Sequence, residues 1–309
     1  MRSTQLRRPV PADEPVASAD PAGRSRPLCK NAFVSSQDEV TQLRDRYLDL
    51  LIDALLHVNY RPIDVGARSK ATRSSVEHGE LEDLEVRLLG KDWPIYGQSM
   101  SGISRLRNVR YCAETVLRED IPGDLIETGV WRGASTILMR AVIAAYGNPQ
   151  DRYVYVADSF EGLPEGDVER YAADAAIAPL LRRDTIREPG ALDPALLAVS
   201  VDEVRRNFEL YGLLDERVRF VEGWFRNTLP PLQGHPWSIM RLDGDMYEST
   251  INALENLYPS LSPGGFCIID DYSIGPCREA VDHYRLSHGI DEPIEEIDWT
   301  GVYWRRRVG

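Results

Sequence analysis

An α/β fold built on a mostly parallel sheet is the architecture that this sequence predicts, and three observations carry it. Strand-like and helix-like stretches alternate from residue 121 onward, the pattern of a parallel sheet covered on both faces. Four of the strand-like runs end in carboxylates, at Glu127, Asp158, Asp243 and the pair Asp270-Asp271. Two glycines, Gly129 and Gly133, follow the first of these runs, where a strand gives way to a helix.

The elements follow in order. Residues 1–37 are rich in Pro, Arg, Ser and Asp and poor in large apolar residues, which reads as a disordered extension. From Val40 to Val58, the residues Leu43, Tyr47, Leu50, Leu51, Ala54 and Leu55 recur at helical spacing and predict an amphipathic helix. Residues 59–100 are mixed and polar and too long for a simple connection. With a second helix from Gly102 to Leu117 they complete a helical cap or lid over 38–120. The turn Ile121-Pro122-Gly123 opens the core, 121–309. Its strands are "LIET", "YVYVAD" (Tyr153 to Asp158), "VRFVEG" (Val218 to Gly223), "SIMRLD" (Ser238 to Asp243) and "GFCIIDD" (Gly265 to Asp271). Helices are predicted from Ala134 to Tyr146, within Leu192 to Tyr211, from Glu248 to Tyr258 and from Pro276 to His288. Two short β-prone runs around Thr300-Gly301 predict a C-terminal hairpin that adds an antiparallel strand, in which Trp299 and Trp304 pack.

Composition excludes several classes. The chain has 309 residues and a formal net charge of -13, which disfavours nucleic acid as a partner because phosphate neutralisation needs a basic surface. Cys29, Cys112, Cys267 and Cys277 are scattered, with no C-x-x-C pair. That fits a reducing, cytoplasmic setting and argues against a zinc site or a disulfide framework. No apolar run reaches the roughly 18 residues of a membrane span, and no signal-peptide h-region is visible.

Ligands of an open parallel sheet bind beyond the carboxyl ends of its strands. A run of acids there is costly unless something positive binds among them, because like carboxylates raise one another's pKa. Asp158 stands one strand after the glycine turn, where an acid commonly grips ribose hydroxyls. The turn lacks the third glycine of a dinucleotide fingerprint, and Trp131 hinders a pyrophosphate. No Lys-Ser/Thr follows to make it a P-loop. A nucleoside without phosphates fits better, and the cationic sulfonium of S-adenosylmethionine suits an acidic pocket. The bland alternative is that the glycines serve tight strand-to-helix packing. Asp243, Asp245, Asp270 and Asp271 form a second group, with no conspicuous Lys or His among them, and suggest a hard divalent cation such as Mg²⁺. Against that, Asp245 before "MYESTINAL" could be a helix N-cap.

Taken together, "PGDLIETGVWRGAS", "VADSFEGLP", "RLDGDMYEST" and "GGFCIIDDY" resemble the macrocin O-methyltransferase (TylF/MycF-type) family, over roughly Val40 to Arg307. Members methylate sugar hydroxyls of macrolides, and phenolic or sugar hydroxyls in aminocoumarin and enediyne pathways. The resemblance implies a class I, Rossmann-like methyltransferase fold, S-adenosylmethionine as donor, Mg²⁺, a small glycosylated acceptor and a homo-oligomer. By position it implies that Thr128, Gly129, Val130, Trp131 and Arg132 hold the methionine portion, with Glu127 beneath and Met100 and Ser101 of "MSGISRLRN" alongside. Asp158 would take the ribose, Ser159 and Phe160 would lie beside the adenosine, and Gly223 and Trp224 would border the adenine. Asp243, Asp270 and Asp271 would be the metal ligands, and Asp245 the base, unless Asp243 accepts the proton. The stretch Glu165 to Ser200 is longer than the family's usual one, which leaves the acceptor open. Three rivals stand beside this reading: a methyltransferase acting on a phenolic acceptor, a nucleoside- and metal-binding module without catalysis, and an NAD-dependent oxidoreductase, which the defective fingerprint disfavours. His235, His283 and His288 carry no catalytic role, and Cys267 is a small core residue.

Overall fold

The computed structural model describes residues 36–148, 150–177 and 194–308. Nearly all of the stretch read as disordered therefore lies outside the described residues, as does the middle of the long segment after Glu165. The first helix, α1 (Ser36–Leu55), opens inside that stretch. It buries Leu48, Leu51, Ile52 and Leu55 and leaves Leu43, Tyr47 and Leu50 exposed.

The polar segment that follows folds into α2 (Lys70–Glu77), α3 (Asp83–Leu89) and a small antiparallel ribbon of β1 (Ala67–Arg68) and β2 (Asp92–Trp93). It has few apolar side chains to bury, and buried polar groups hold it instead. The Asp64 carboxylate accepts the N–H groups of Ile95, Tyr96 and Gly97 at 3.0, 2.8 and 2.7 Å. Buried Arg87 donates to Asp92 at 2.5 Å and to the Ser99 carbonyl at 2.7 Å. Such groups are stable inside a protein only when paired in this way. α4 (Ile103–Arg118) then leads to the core.

The core sheet comprises β3 (Asp124–Thr128), β4 (Val154–Asp158), β5 (Val218–Glu222), β6 (Trp237–Leu242), β7 (Leu261–Ile269), β8 (Glu295–Glu296) and β9 (Val302–Arg305). Their spatial order is β5-β4-β3-β6-β7-β9-β8; β3 to β7 pair in parallel, and β9 runs antiparallel to both β7 and β8. β9 pairs with both β7 and β8, so the predicted hairpin adds to the sheet edge through its second strand. Between the strands run α5 (Ala134–Ala145), α6 (Val201–Leu210), α7 (Phe225–Thr228), α8 (Tyr247–Leu257) and α9 (Gly275–Ser287).

Successive strand residues point to opposite faces, and two cores result. Leu125, Ile239, Phe266 and Ile268 join one core with α4 and α5; Ile126, Met240, Cys267 and Ile269 join the other with α8 and α9. Both faces are covered, which is why the strands read as near-continuous apolar runs. No helix among the described residues is long and apolar enough to cross a membrane.

Candidate active site

The chain steps outward from β3 to β4 and β5, then returns to β6 on the other side of β3. This reversal opens a crevice at the carboxyl ends of β3 and β6, the place where open α/β sheets bind ligands. The glycine turn lies there. Gly129 has φ +87°, and a Cβ on it would lie 1.6 Å from the Asp243 carbonyl oxygen, so only glycine lets β6 end against this turn. Gly133 has φ +88°, and its Cβ would lie 2.9 Å from Val204 of α6. The packing explanation of the two glycines is thus met by the geometry. The same close packing leaves the turn bordering open space.

That space is a cavity of about 730 Å³. Met100, Gly129, Trp131, Asp158, Ser159 and Trp224 border it, and so do Asp243, Asp245, Asp270 and Asp271. The other expected donor-site residues stand behind this surface. Ser101, Glu127, Thr128, Val130 and Phe160 are buried and do not line the cavity, and neither does Gly223. Arg132 is engaged elsewhere: its guanidinium donates to the carbonyls of Pro94, Ile95 and Gly97, tying the turn to the cap.

Asp158 is already engaged. Its two carboxylate oxygens accept the N–H groups of Val130 and Phe160, each at 2.7 Å. Burial raises its pKa, and these N–H donors oppose the rise. Asp158 therefore braces the turn while facing the cavity, a role that its position in the sequence does not reveal.

One oxygen from each of Asp243, Asp270 and Asp271 lies within 4.8 Å of the others. Burial, then the charge of Asp270, pushes Asp243 up to about 6. Burial and the charges of Asp243 and Asp270 push Asp245 up to about 7. Asp271 is raised well above the usual carboxylate range, by burial and then by Asp245 and its neighbours. A set of crowded oxygen donors whose charges repel is the donor chemistry that a hard divalent cation takes, and the residues fit one.

Among the described residues no Lys or His pairs with these acids, but sequence reasoning passed over their arginine partners. Two arginines are buried among the acids. Arg241 of β6 is 1% exposed and donates to Glu127, to Asp270, to Asp243 at 2.8 Å and to the Ser101 hydroxyl at 3.2 Å. Arg105 of α4 donates to Asp270 and, at 3.0 Å, to Asp298. Burial raises the Asp270 pKa, but these guanidiniums outweigh it and hold it below the ordinary value. Asp270 is thus ionised and fixed, while its neighbours keep the crowded charge. The lone Arg in the apolar run "SIMRLD" was the available signal, since a buried strand carries a charge only when partners await it.

Asp245 is not a helix cap. Its φ is +56°, and α8 is preceded by Met246 as N-cap. The first N–H groups of that helix, on Tyr247 and Glu248, are accepted instead by the buried Asp174 carboxylate at 2.6 and 3.1 Å. The Asp245 N–H donates to Asp271 at 3.0 Å, and among the described residues nothing donates to its carboxylate. Trp299 also departs from expectation. Trp304 packs fully in β9, but Trp299 is 54% exposed in the preceding turn and borders the cavity. Of the residues set aside, Cys267 is fully buried, and His235 pairs with Asp124 at 2.8 Å at the other end of the strands.

Known proteins resemble this chain over most of its length. The model of the macrocin-O-methyltransferase (TylF) family matches residues 44–306. The 8-demethyl-8-(2,3-dimethoxy-α-L-rhamnosyl)-tetracenomycin-C 4'-O-methyltransferase of Streptomyces olivaceus is 50% identical over 262 residues, 85% of this chain and 93% of that protein. The mycinamicin III 3''-O-methyltransferase of Micromonospora griseorubida is 45% identical over 222 residues, 72% of this chain and 84% of that protein. Among solved structures, the O-methyltransferase NovP superposes with a TM-score of 0.72 at 43% identity, covering 86% of this chain and all of its own. The extent of these matches, on a doubly wound sheet of class I methyltransferase order, establishes that the chain belongs to the macrocin-O-methyltransferase (TylF) family and is an S-adenosylmethionine-dependent O-methyltransferase.

Proposed function

We propose that this enzyme methylates a sugar hydroxyl of a glycosylated, antibiotic-like metabolite, with Mg²⁺ held by Asp243, Asp270 and Asp271. The observation that carries the reading is the acid cluster on the wall of the same cavity that the glycine turn borders. The names of the relatives support it, since one specifies a rhamnosyl acceptor and the other a mycinamicin. A sugar hydroxyl has a high intrinsic pKa, comparable to the value of about 15.7 for water, so its activation needs more than a base. A divalent cation in the cluster would supply Lewis acidity toward the acceptor oxygen, and bound S-adenosylmethionine would supply an electrophilic methyl group.

The chain's own residues do the rest. The turn from Gly129 to Trp131, braced by Asp158, holds the donor. Asp245 takes the hydroxyl proton, because it borders the cavity, its carboxylate has no donor among the described residues, and its backbone is tied to Asp271. The apolar stretches of wall, with Trp93 and Leu81 from the cap, exclude water from the reacting oxygen. The helical segment 38–120 therefore acts as a cap, and the exposed Leu43, Tyr47 and Leu50 stripe of α1 supports association of two copies. The buried, unpaired thiols Cys112, Cys267 and Cys277 support a cytoplasmic setting.

Labelled S-adenosylmethionine with a panel of rhamnosylated polyketides, glycosylated macrolides and simple catechols tests the reading. Transfer to a sugar oxygen, abolished by EDTA and restored by Mg²⁺, is expected. Transfer confined to phenols, or full activity in metal-free buffer, overturns it. Light scattering should give the mass of a dimer or larger assembly, and Leu43→Glu with Leu50→Glu should lower it to that of one chain.

A further inference from the structure

We infer that Trp299 is the stacking platform for the acceptor's sugar ring, and hence a specificity-determining residue; the inference rests on the sugar-hydroxyl reading above. An indole more than half exposed is expensive in water, since large aromatics contribute most when covered. Trp299 is 54% exposed and is one of the residues that border the cavity.

The ring is also held in place. Its Nε1 donates to the Leu89 carbonyl at 2.9 Å, bridging the turn before β9 to the end of α3. Asp298 beside it accepts the N–H groups of Thr300 and Gly301 at 3.0 and 2.9 Å, which closes the turn. The Thr300 hydroxyl donates to the Asp270 carbonyl at 3.1 Å and accepts from Ser273 at 2.8 Å. Arg105 joins Asp298 to the Asp270 carboxylate, with its guanidinium 5.9 Å from the centre of the indole. Two of these links, from Thr300 and from Arg105, tie the turn to Asp270, and the Leu89 carbonyl holds the ring itself.

This pairing suits one chemical class. A pyranose carries a face of aliphatic C–H bonds, slightly positive at hydrogen, and a rim of hydroxyls. The negative face of an aromatic ring attracts such hydrogens, as it does the positive edge of another ring. An acid cluster within one guanidinium of that ring can then receive the rim hydroxyls. The other cavity tryptophan with a known indole partner, Trp131, belongs to the glycine turn, where its Nε1 donates to the Leu196 carbonyl at 2.7 Å.

The test measures binding of methyl α-L-rhamnopyranoside to the enzyme with Mg²⁺ and S-adenosylhomocysteine, by calorimetry and saturation-transfer NMR. Trp299→Ala should weaken glycoside binding by about five- to tenfold, the loss of one aromatic contact. Trp299→Phe retains the π face but lacks the N–H, and should bind within about twofold of the native protein. S-adenosylhomocysteine affinity should be unchanged in both. Saturation from the aromatic region should reach the sugar's ring C–H protons more strongly in the native and Phe forms than in Trp299→Leu, where Trp93, Trp131 and Trp224 remain on the wall. If Phe is as poor as Ala, the residue is a strut between cap and core and the inference falls. It falls equally if Ala binds the glycoside normally. A native enzyme that binds catechol but no glycoside overturns the sugar reading itself, and this inference with it. Should the Ala form not fold, the Phe and Leu forms alone decide.

Discussion

At the scale of single residues, the site is organised by two buried arginines as much as by its acids. Removing one partner of a buried charge network leaves the others uncompensated, which typically costs about 3–5 kcal/mol. Arg241→Met should therefore lower stability by about that amount, read from urea denaturation, because Glu127, Asp270 and Asp243 all lose a donor. The two acids of "RLDGD" should separate under substitution. Asp243→Asn should weaken Mg²⁺ binding and activity together, as it removes a member of the oxygen cluster. Asp245→Asn should keep Mg²⁺ and donor affinity in calorimetry yet lose kcat on the order of 10²–10⁴-fold, the usual contribution of a general base. Normal turnover in Asp245→Asn at saturating metal would return the proton to Asp243 or to water.

At the scale of elements, the segment after β4 supports the loop that carries Asp245. Asp174 lies in a short 3-10 turn, Ala172–Ala176, and is fully buried. It satisfies the N-terminus of α8 from a distance, which is the service an N-cap side chain normally performs locally. Asp245 immediately precedes Met246, the residue that starts this helix. Asp174→Ala should cost about 1–3 kcal/mol, because two buried N–H groups lose their acceptor. Hydrogen exchange at Tyr247 and Glu248 should quicken in that variant. Unchanged exchange there would mean that water or another side chain takes over the cap.

At the scale of the whole molecule, a donor held by the turn, as proposed, would link binding to folding. A ligand that binds only the folded state stabilises it by about 2.7 kcal/mol at one hundred times its Kd. S-adenosylhomocysteine should therefore raise the Tm of the native enzyme. Asp158→Ala should bind it about ten- to a hundredfold more weakly, given a charge-assisted hydrogen bond of roughly 1.5–3 kcal/mol. Its unliganded Tm should also fall, since Asp158 accepts from Val130 and Phe160. A variant that loses affinity with an unchanged unliganded Tm would assign Asp158 to the ligand alone. One that loses only Tm would make it solely a brace.

What the sequence determined by itself was periodic or covalently local. The apolar runs named each core strand to within a few residues, because buried strands need unbroken apolar faces. The acids were legible because they stand where those runs stop, and a parallel sheet carries all such ends to one edge. The family was legible because four such ends recur with specific neighbours. What the tertiary structure alone decided were pairings between distant segments. Arg105 and Asp270 stand 165 positions apart, and Asp174 and Glu248 stand 74 apart. Nothing in local propensity specifies such partners. Trp299 shows the same limit from the other side. An aromatic beside a β-prone run reads as strand packing, since strand propensity reflects fit to a half-buried surface. Here the turn at Thr300 leaves that ring at the border of the cavity, beside the cap's Leu89 and the Arg105 guanidinium, two residues far from it in sequence.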